Sequence, residues 1–267
     1  MTGAAPVSDL AGWVRAPFTG AGITHDCYEK GSGPGVVLIP ELPGITPEVL
    51  GLADHLVAAG FTVVVPSPFG VPGRPQSGGY TLGQVARICV SAEFRAFATD
   101  AHRPVADYVR AVAVDLAART PGPGVGVIGM CFTGGFALAV AVEEAVLAAV
   151  ASQPSAPFPV GARRAADPGM SAAELDRVAE RAAAGEVCAL GLRFSEDRAS
   201  SRQRFAGLKA RLGDAFEVVE LDSSPGNPDG FSAHAHSVIT SEVREGNSAH
   251  AARERVVAFL GERLRTR

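Results

Sequence analysis

A short run near the middle of the chain, Val125-Gly126-Val127-Ile128-Gly129-Met130-Cys131-Phe132-Thr133-Gly134-Gly135, admits very few folds. Val125 to Ile128 are apolar, largely β-branched and short, which reads as a buried strand. The residues after Thr133, Gly-Gly-Phe-Ala-Leu-Ala-Val-Ala, read as the start of a helix. A single thiol stands between strand and helix in a frame of glycines. A sharp strand-to-helix turn forces its central residue into a strained backbone conformation and lifts the side chain above the sheet. Gly129 lets neighbouring backbone come close. Thr133, Gly134 and Gly135 are small enough for the helix to pack on the strand. The helix also turns its free N–H groups and positive end toward the sulfur, which favours thiolate. Isolated cysteines are most often small core hydrophobes; the glycine frame and the strand–helix context set Cys131 apart from that reading.

The pattern on both sides is that of an α/β fold. Gly35–Pro40 reads as a buried strand. Thr46 is placed as the N-cap of a helix, with Pro47 at its first position, Glu48 in its first turn and Gly60 beyond its end. Phe61–Pro66, Ala145–Ala151, Val187–Phe194 and Phe216–Leu221 read as further strands. Helices are expected over Leu82–Phe97, Pro104–Ala118, from Ser171 with Glu174 at capping-box spacing, over Ser200–Leu212 and over Glu242–Leu264. The alternation predicts one α/β domain spanning 1–267, with a mostly parallel central sheet and helices on both faces. Thr24–Glu29 reads as an edge strand, and residues 1–23 as an irregular N-terminal extension.

Composition narrows the function. A 267-residue chain with net charge -4 and 47% hydrophobic residues suits a sizeable core. No basic stripe points to nucleic acid. The longest apolar run, Ala137–Val150, is broken by Glu143 and Glu144, so no membrane span is expected. The N-terminus lacks a charged segment followed by an apolar one, and Cys27, Cys89, Cys131 and Cys188 form no CxxC pair. Both features favour free thiols in a reducing cytoplasm. His234-Ala235-His236 has no nearby cysteines to complete a metal site, and neither metal nor cofactor is expected.

A thiol needs a base or charge partner to act as an acyl-transfer nucleophile near neutral pH. Cys131 follows one strand, Asp197 a later one, and His236 the last. Nucleophile, acid, histidine is the chain order of an α/β-hydrolase triad, with all three members at the carboxyl ends of parallel strands. His234 competes with His236, and Glu196 with Asp197. Glu41 directly follows the first core strand and would reach the same rim, where it could accept or relay a proton. The N–H groups of Leu42 and Phe132 are placed to form an oxyanion hole.

Several segments together resemble the dienelactone hydrolase family: Glu41-Leu42-Pro43-Gly44, Pro66-Ser67-Pro68-Phe69-Gly70, Gly129–Gly135, Gly191–Asp197 and His236-Ser237-Val238. The resemblance runs from about Thr24 to the C-terminal helix. It implies a compact α/β-hydrolase-like fold and hydrolysis of an ester or lactone by a Cys131-Asp197-His236 triad, with a glutamate at the position of Glu41 holding the thiol and helping to deprotonate it when substrate arrives. The elbow departs from the family's Gly-x-Cys-x-Gly-Gly, because Thr133 intervenes after Phe132. Family members that bind carboxylated lactones use arginines, for which Arg87 and Arg95 are the candidates here. The partner expected is a small-molecule ester or lactone, and the chain a monomer or homodimer. The competing reading is a non-catalytic protein or a redox or detoxifying thiol protein on the same fold. The first would lack a triad member. The second would carry a resolving cysteine beside Cys131, and neither Cys89 nor Cys188 shows such a motif.

Overall fold

Strands and helices alternate along the chain because apolar β-branched runs of five to seven residues are separated by longer, capped segments of helical period. A computed structural model describes residues 3–265. In chain order the elements are β1 (Val14–Gly20), β2 (Ile23–Lys30), β3 (Gly35–Ile39), α1 (Pro47–Ala58), β4 (Thr62–Pro66), α2 (Gly78–Val90), α3 (Pro104–Arg119), β5 (Val125–Met130), α4 (Gly134–Val140), β6 (Val146–Ser152), α5 (Ala162–Ala166), α6 (Ala172–Ala183), β7 (Cys188–Phe194), α7 (Arg202–Leu212), β8 (Phe216–Leu221) and α8 (Ser248–Leu264). The strands form one sheet in the order β1-β2-β4-β3-β5-β6-β7-β8. It is parallel from β4 to β8, with β1 and β2 added antiparallel at one side.

Successive residues of a strand face opposite sides of the sheet, and both sides here are apolar. Val37 and Ile39 of β3 pack with Val109, Val112 and Leu116 of α3 and Phe136 of α4. Val36 and Leu38 pack on the other face with Leu50 and Leu56 of α1 and Val256 and Leu260 of α8. The result is an α/β-hydrolase-like fold, a mostly parallel sheet covered on both faces.

Capping residues account for most helix boundaries. The Thr46 hydroxyl accepts from Val49 N, and Ser171 and Glu174 cap α6 reciprocally. Several boundaries differ from the sequence reading. Residues 14–20, expected to be irregular, form β1, so β2 lies inside the edge; Pro17 and mostly exposed side chains hid that strand. α2 runs from Gly78, under a Ser77 cap, to Val90 rather than over Leu82–Phe97, and it buries only Gln84 and Ile88, so its apolar period is weak. α8 begins at Ser248, where Asn247 accepts from His250 N, instead of at Glu242. β5 runs on through Met130, so the strand carries the chain right up to Cys131.

Candidate active site

The strained residue at the end of β5 is Cys131, with φ +54. A non-glycine side chain held there marks a backbone over-determined by its surroundings. Two contacts do this. A Cβ on Gly129 would lie 2.3 Å from the Thr133 carbonyl oxygen, so only glycine allows the turn to fold back on the strand. The fully buried Thr133 hydroxyl accepts from Met130 N at 3.0 Å and lies within reach of the carbonyls of Met130, Ile39 and Pro40 at 2.9, 3.2 and 3.2 Å. Thr133 thus makes room for itself in a short 3-10 turn over Cys131–Thr133, and α4 starts at Gly134. The residue that departs from the family pattern ties the elbow to the end of β3.

The half-buried Cys131 sulfur lies 3.4 Å from the Ser155 hydroxyl, and Ser155 N donates to Cys131 O at 2.9 Å. Ser155 itself is buried. Nothing in the sequence marked it; it comes from an irregular loop after β6 and meets Cys131 only through the fold. Beyond the elbow, Phe132 packs near Phe158 (centroids 6.0 Å), and Phe158 near the partly exposed Phe97 (5.6 Å). An aromatic run therefore leads from the nucleophile toward the surface.

Asp197 and His236 meet as the chain order implied. His236 Nδ1 lies 2.7 Å from Asp197 Oδ2, and Asp197 Oδ1 accepts from the amides of Ala199 at 2.8 Å and Ser200 at 3.2 Å. The alternatives do not take part. His234 is exposed, and Glu196 is exposed with its amide on Ser223 Oγ. Burial alone would push the Asp197 carboxyl up; the hydrogen bond and charge of His236, with the two amides, outweigh it and hold the carboxyl below its ordinary value. Burial alone would push the His236 imidazole down; the neighbouring Cys131 sulfur together with the hydrogen bond and charge of Asp197 lift it well above 6.5. The imidazole is thereby coupled to the sulfur on one side and to the carboxylate on the other. Beside it opens a cavity of about 570 Å³, lined by Glu196, Asp197, Arg198, Ala199, Ala233, His234 and His236.

Among the described residues the Glu41 carboxylate makes no hydrogen bond to the Cys131 sulfur. Glu41 is 5% exposed, and its carboxylate takes the hydroxyl of Thr240, the hydroxyl of Ser237 at 2.8 Å and Gln153 Nε2 at 3.1 Å. The partner of the Cys131 sulfur on this side is Ser155. Leu42 is buried next to Glu41, and its N–H donates to no acceptor among the described residues. Arg87 is exposed on α2, at a groove of about 340 Å³ shared with Ser67–Gly70 and Phe94. Arg95 is exposed with its guanidinium on the His102 carbonyl at 3.3 Å. Among the described residues, neither arginine bonds to the triad. No cluster of three or more His, Cys, Asp or Glu suited to a metal occurs among them, and no helix is long and apolar enough to cross a membrane.

A strand–turn–helix elbow whose apex faces an imidazole and a buried carboxylate, all on one rim of a mostly parallel sheet, defines an α/β-hydrolase-like protein. The chain belongs to the dienelactone hydrolase family, whose model matches residues 27–264, and is a hydrolase acting on small molecules. Its fold is similar to that of a dienelactone hydrolase-like promiscuous phosphotriesterase from metagenomic libraries (17% identity, 98% of this chain and 100% of that one, TM-score 0.63). A structure from Klebsiella pneumoniae subsp. pneumoniae assigned as a dienelactone hydrolase aligns at 18% identity over 94% and 99% of the two chains, TM-score 0.60. A dienelactone hydrolase from Anabaena variabilis aligns at 12% identity over 95% and 98%, TM-score 0.58. At these identities the likeness is one of fold. No curated protein matches the sequence.

Proposed function

We propose that the protein hydrolyses carboxylic ester or lactone bonds through Cys131, by way of a thioester acyl-enzyme. The observation that carries this is the strained apex position of Cys131, with a His236–Asp197 pair at 2.7 Å on the same rim of the sheet. In this reading His236 takes the thiol proton of Cys131, and the Ser155 hydroxyl faces the sulfur. The sulfur attacks the carbonyl carbon. The N–H groups of Phe132 and Leu42 receive the oxyanion, a contribution of about 3–4 kcal/mol per donor in other acyl-transfer sites. His236, oriented by Asp197, hands its proton to the leaving alkoxide, then takes one from the water that attacks the thioester and returns the sulfur. The aromatic run through Phe132, Phe158 and Phe97 suits an apolar acyl or alcohol portion.

An activated aryl ester tests the proposal. Mixing it with the protein is expected to give a burst of released phenol and an acyl mass increment on Cys131. The Cys131→Ala variant is expected to lose both. Turnover with Cys131 unmodified, or undiminished in Cys131→Ala, would overturn it.

A further inference from the structure

β5 and β6 end level, with Met130 beside Ser152, so the chain leaving β6 passes alongside the elbow. It turns at Gln153, whose φ is +35 and whose N–H is fixed on Leu192 O of β7 at 2.7 Å. A Cβ on Gly134 would meet Pro154 Cα at 2.7 Å, so the glycine that opens α4 admits the loop this close. Ser155 N then donates to Cys131 O at 2.9 Å, and the buried Arg204 holds the carbonyls of Pro154 and Pro157 on either side of it. Fixed in this way, Ser155 is 2% exposed and its Oγ lies 3.4 Å from Cys131 Sγ. Among the described residues the sulfur is the one hydrogen-bond partner of that hydroxyl. A buried hydroxyl keeps a partner, and this one is aimed at the nucleophile.

A neutral thiol and a hydroxyl can each donate to the other. A thiolate has no proton, so only the hydroxyl can donate to it. We propose that Ser155 is a catalytic residue: its O–H donates to the Cys131 sulfur whenever that sulfur carries negative charge. The role rests on the reading of Cys131 as nucleophile and deepens it. In acylation the S–H proton passes to His236, and the electron pair left on sulfur forms the bond to the carbonyl carbon; Ser155 keeps its own proton throughout. In deacylation water adds to the thioester and gives a proton to His236. The C–S bond then breaks with its pair going to sulfur, and the same O–H receives the departing thiolate. A charge-assisted bond of this kind favours the thiolate before attack and its release afterwards. The other ionisable groups gathered here are His236, Asp197 and Glu242, which face the imidazole, and Glu41, on the Ser237 hydroxyl; a change at Ser155 alters none of them.

The test compares the full-length parent with Ser155→Ala, with thermal melts as a folding control. Ser155→Gly, which also lacks the hydroxyl and keeps the backbone bond to Cys131, stands in should Ser155→Ala not fold. Alkylation by iodoacetamide is measured across pH and read by mass on the Cys131 peptide. In the variant the pH of half-maximal alkylation is expected to rise by about one unit, as loss of a hydrogen bond to a charged group implies. The alkaline plateau is not expected to fall, because a thiolate without its donor is the stronger nucleophile. After one addition of an activated aryl ester, decay of the acyl mass on Cys131 is expected to slow by about three- to tenfold, since the sulfur must leave as a more basic thiolate. An unmoved half-maximal pH, or an acyl decay as fast as the parent's, would overturn the proposal. So would a lowered plateau, the mark of a side chain that merely holds the sulfur in place. A parent whose Cys131 is alkylated but never acylated would instead remove the nucleophile reading, a result distinct from an acylating parent with an indifferent Ser155→Ala.

Discussion

At the scale of single residues, the site depends on how His236 is charged. The groups facing it are the Cys131 sulfur, Asp197 and Glu242, all acids, and burial opposes them. Because its folded pKa is raised, the stability linked to its proton is complete below the ordinary 6.5 and is lost as pH climbs through the folded value. Asp197 behaves in the mirror sense: its carboxyl is lowered, so its contribution is present above 3.8 and is lost as pH falls through the folded value. Ester turnover that needs the imidazolium to protonate the leaving group should therefore keep its alkaline limb well above pH 6.5. Asp197→Asn should bring that limb to lower pH and cut kcat by about 10²–10⁴-fold, the range seen when a triad acid is lost. A pH–rate profile of the two proteins checks both. An alkaline limb unmoved by the substitution would mean that Asp197 does not set the histidine. His236 and Asp197 were legible from chain order alone, because each follows a strand whose apolar run is plain. His234 and Glu196 could be set aside only once the loops were placed, since adjacent loop residues share composition and differ in direction.

At the scale of elements, the elbow is held by Thr133 as well as by its glycines. Its buried hydroxyl satisfies Met130 N and reaches the carbonyls of Ile39 and Pro40 at the end of β3. Valine has nearly the same shape and no hydroxyl. Thr133→Val should leave the Met130 amide without a partner in a dry site, at a cost of roughly 1–3 kcal/mol. Denaturant unfolding measures it; an unchanged midpoint would show that the elbow closes without this bond. The sequence marked Thr133 as an interruption in a glycine motif. Its partners lie more than ninety positions away on the neighbouring strand, and local pattern carries no information about them. The strands and capped helices were legible because period and caps are local. β1 and the start of α2 were not, because one is exposed along most of its length and the other opens on two glycines with little apolar face.

At the scale of the molecule, the loop between β6 and α6 must be pinned, because it delivers Ser155 to Cys131. Arg204 of α7 does this from within the protein: it is fully buried and donates to the carbonyls of Asp167 at 2.6 Å, Pro157 at 2.8 Å and Arg164 at 3.2 Å, and to that of Pro154. Burial, first among the causes, brings its pKa down to about 10, so it remains charged at neutral pH. Arg204→Met should strand these carbonyls and cost on the order of 3–5 kcal/mol. For a chain of this size that lowers Tm by roughly 10 °C. Calorimetry reads the shift, and limited proteolysis should find new cleavage within residues 154–169. A melt unchanged within error would show that the loop packs without its arginine.

The amino-acid sequence by itself determined the alternation of strands and helices, the thiol at a strand–helix junction and the order of its acid and histidine, because periodicity, caps and glycine frames act over a few residues. Only the tertiary structure decided what each polar side chain touches. It put Glu41 on the hydroxyls of Ser237 and Thr240, set Ser155 against Cys131, and left Arg87 and Arg95 at the surface. The physical reason is one of range: a buried donor or acceptor must find a partner wherever the fold brings one, and those partners are contributed by segments far apart along the chain.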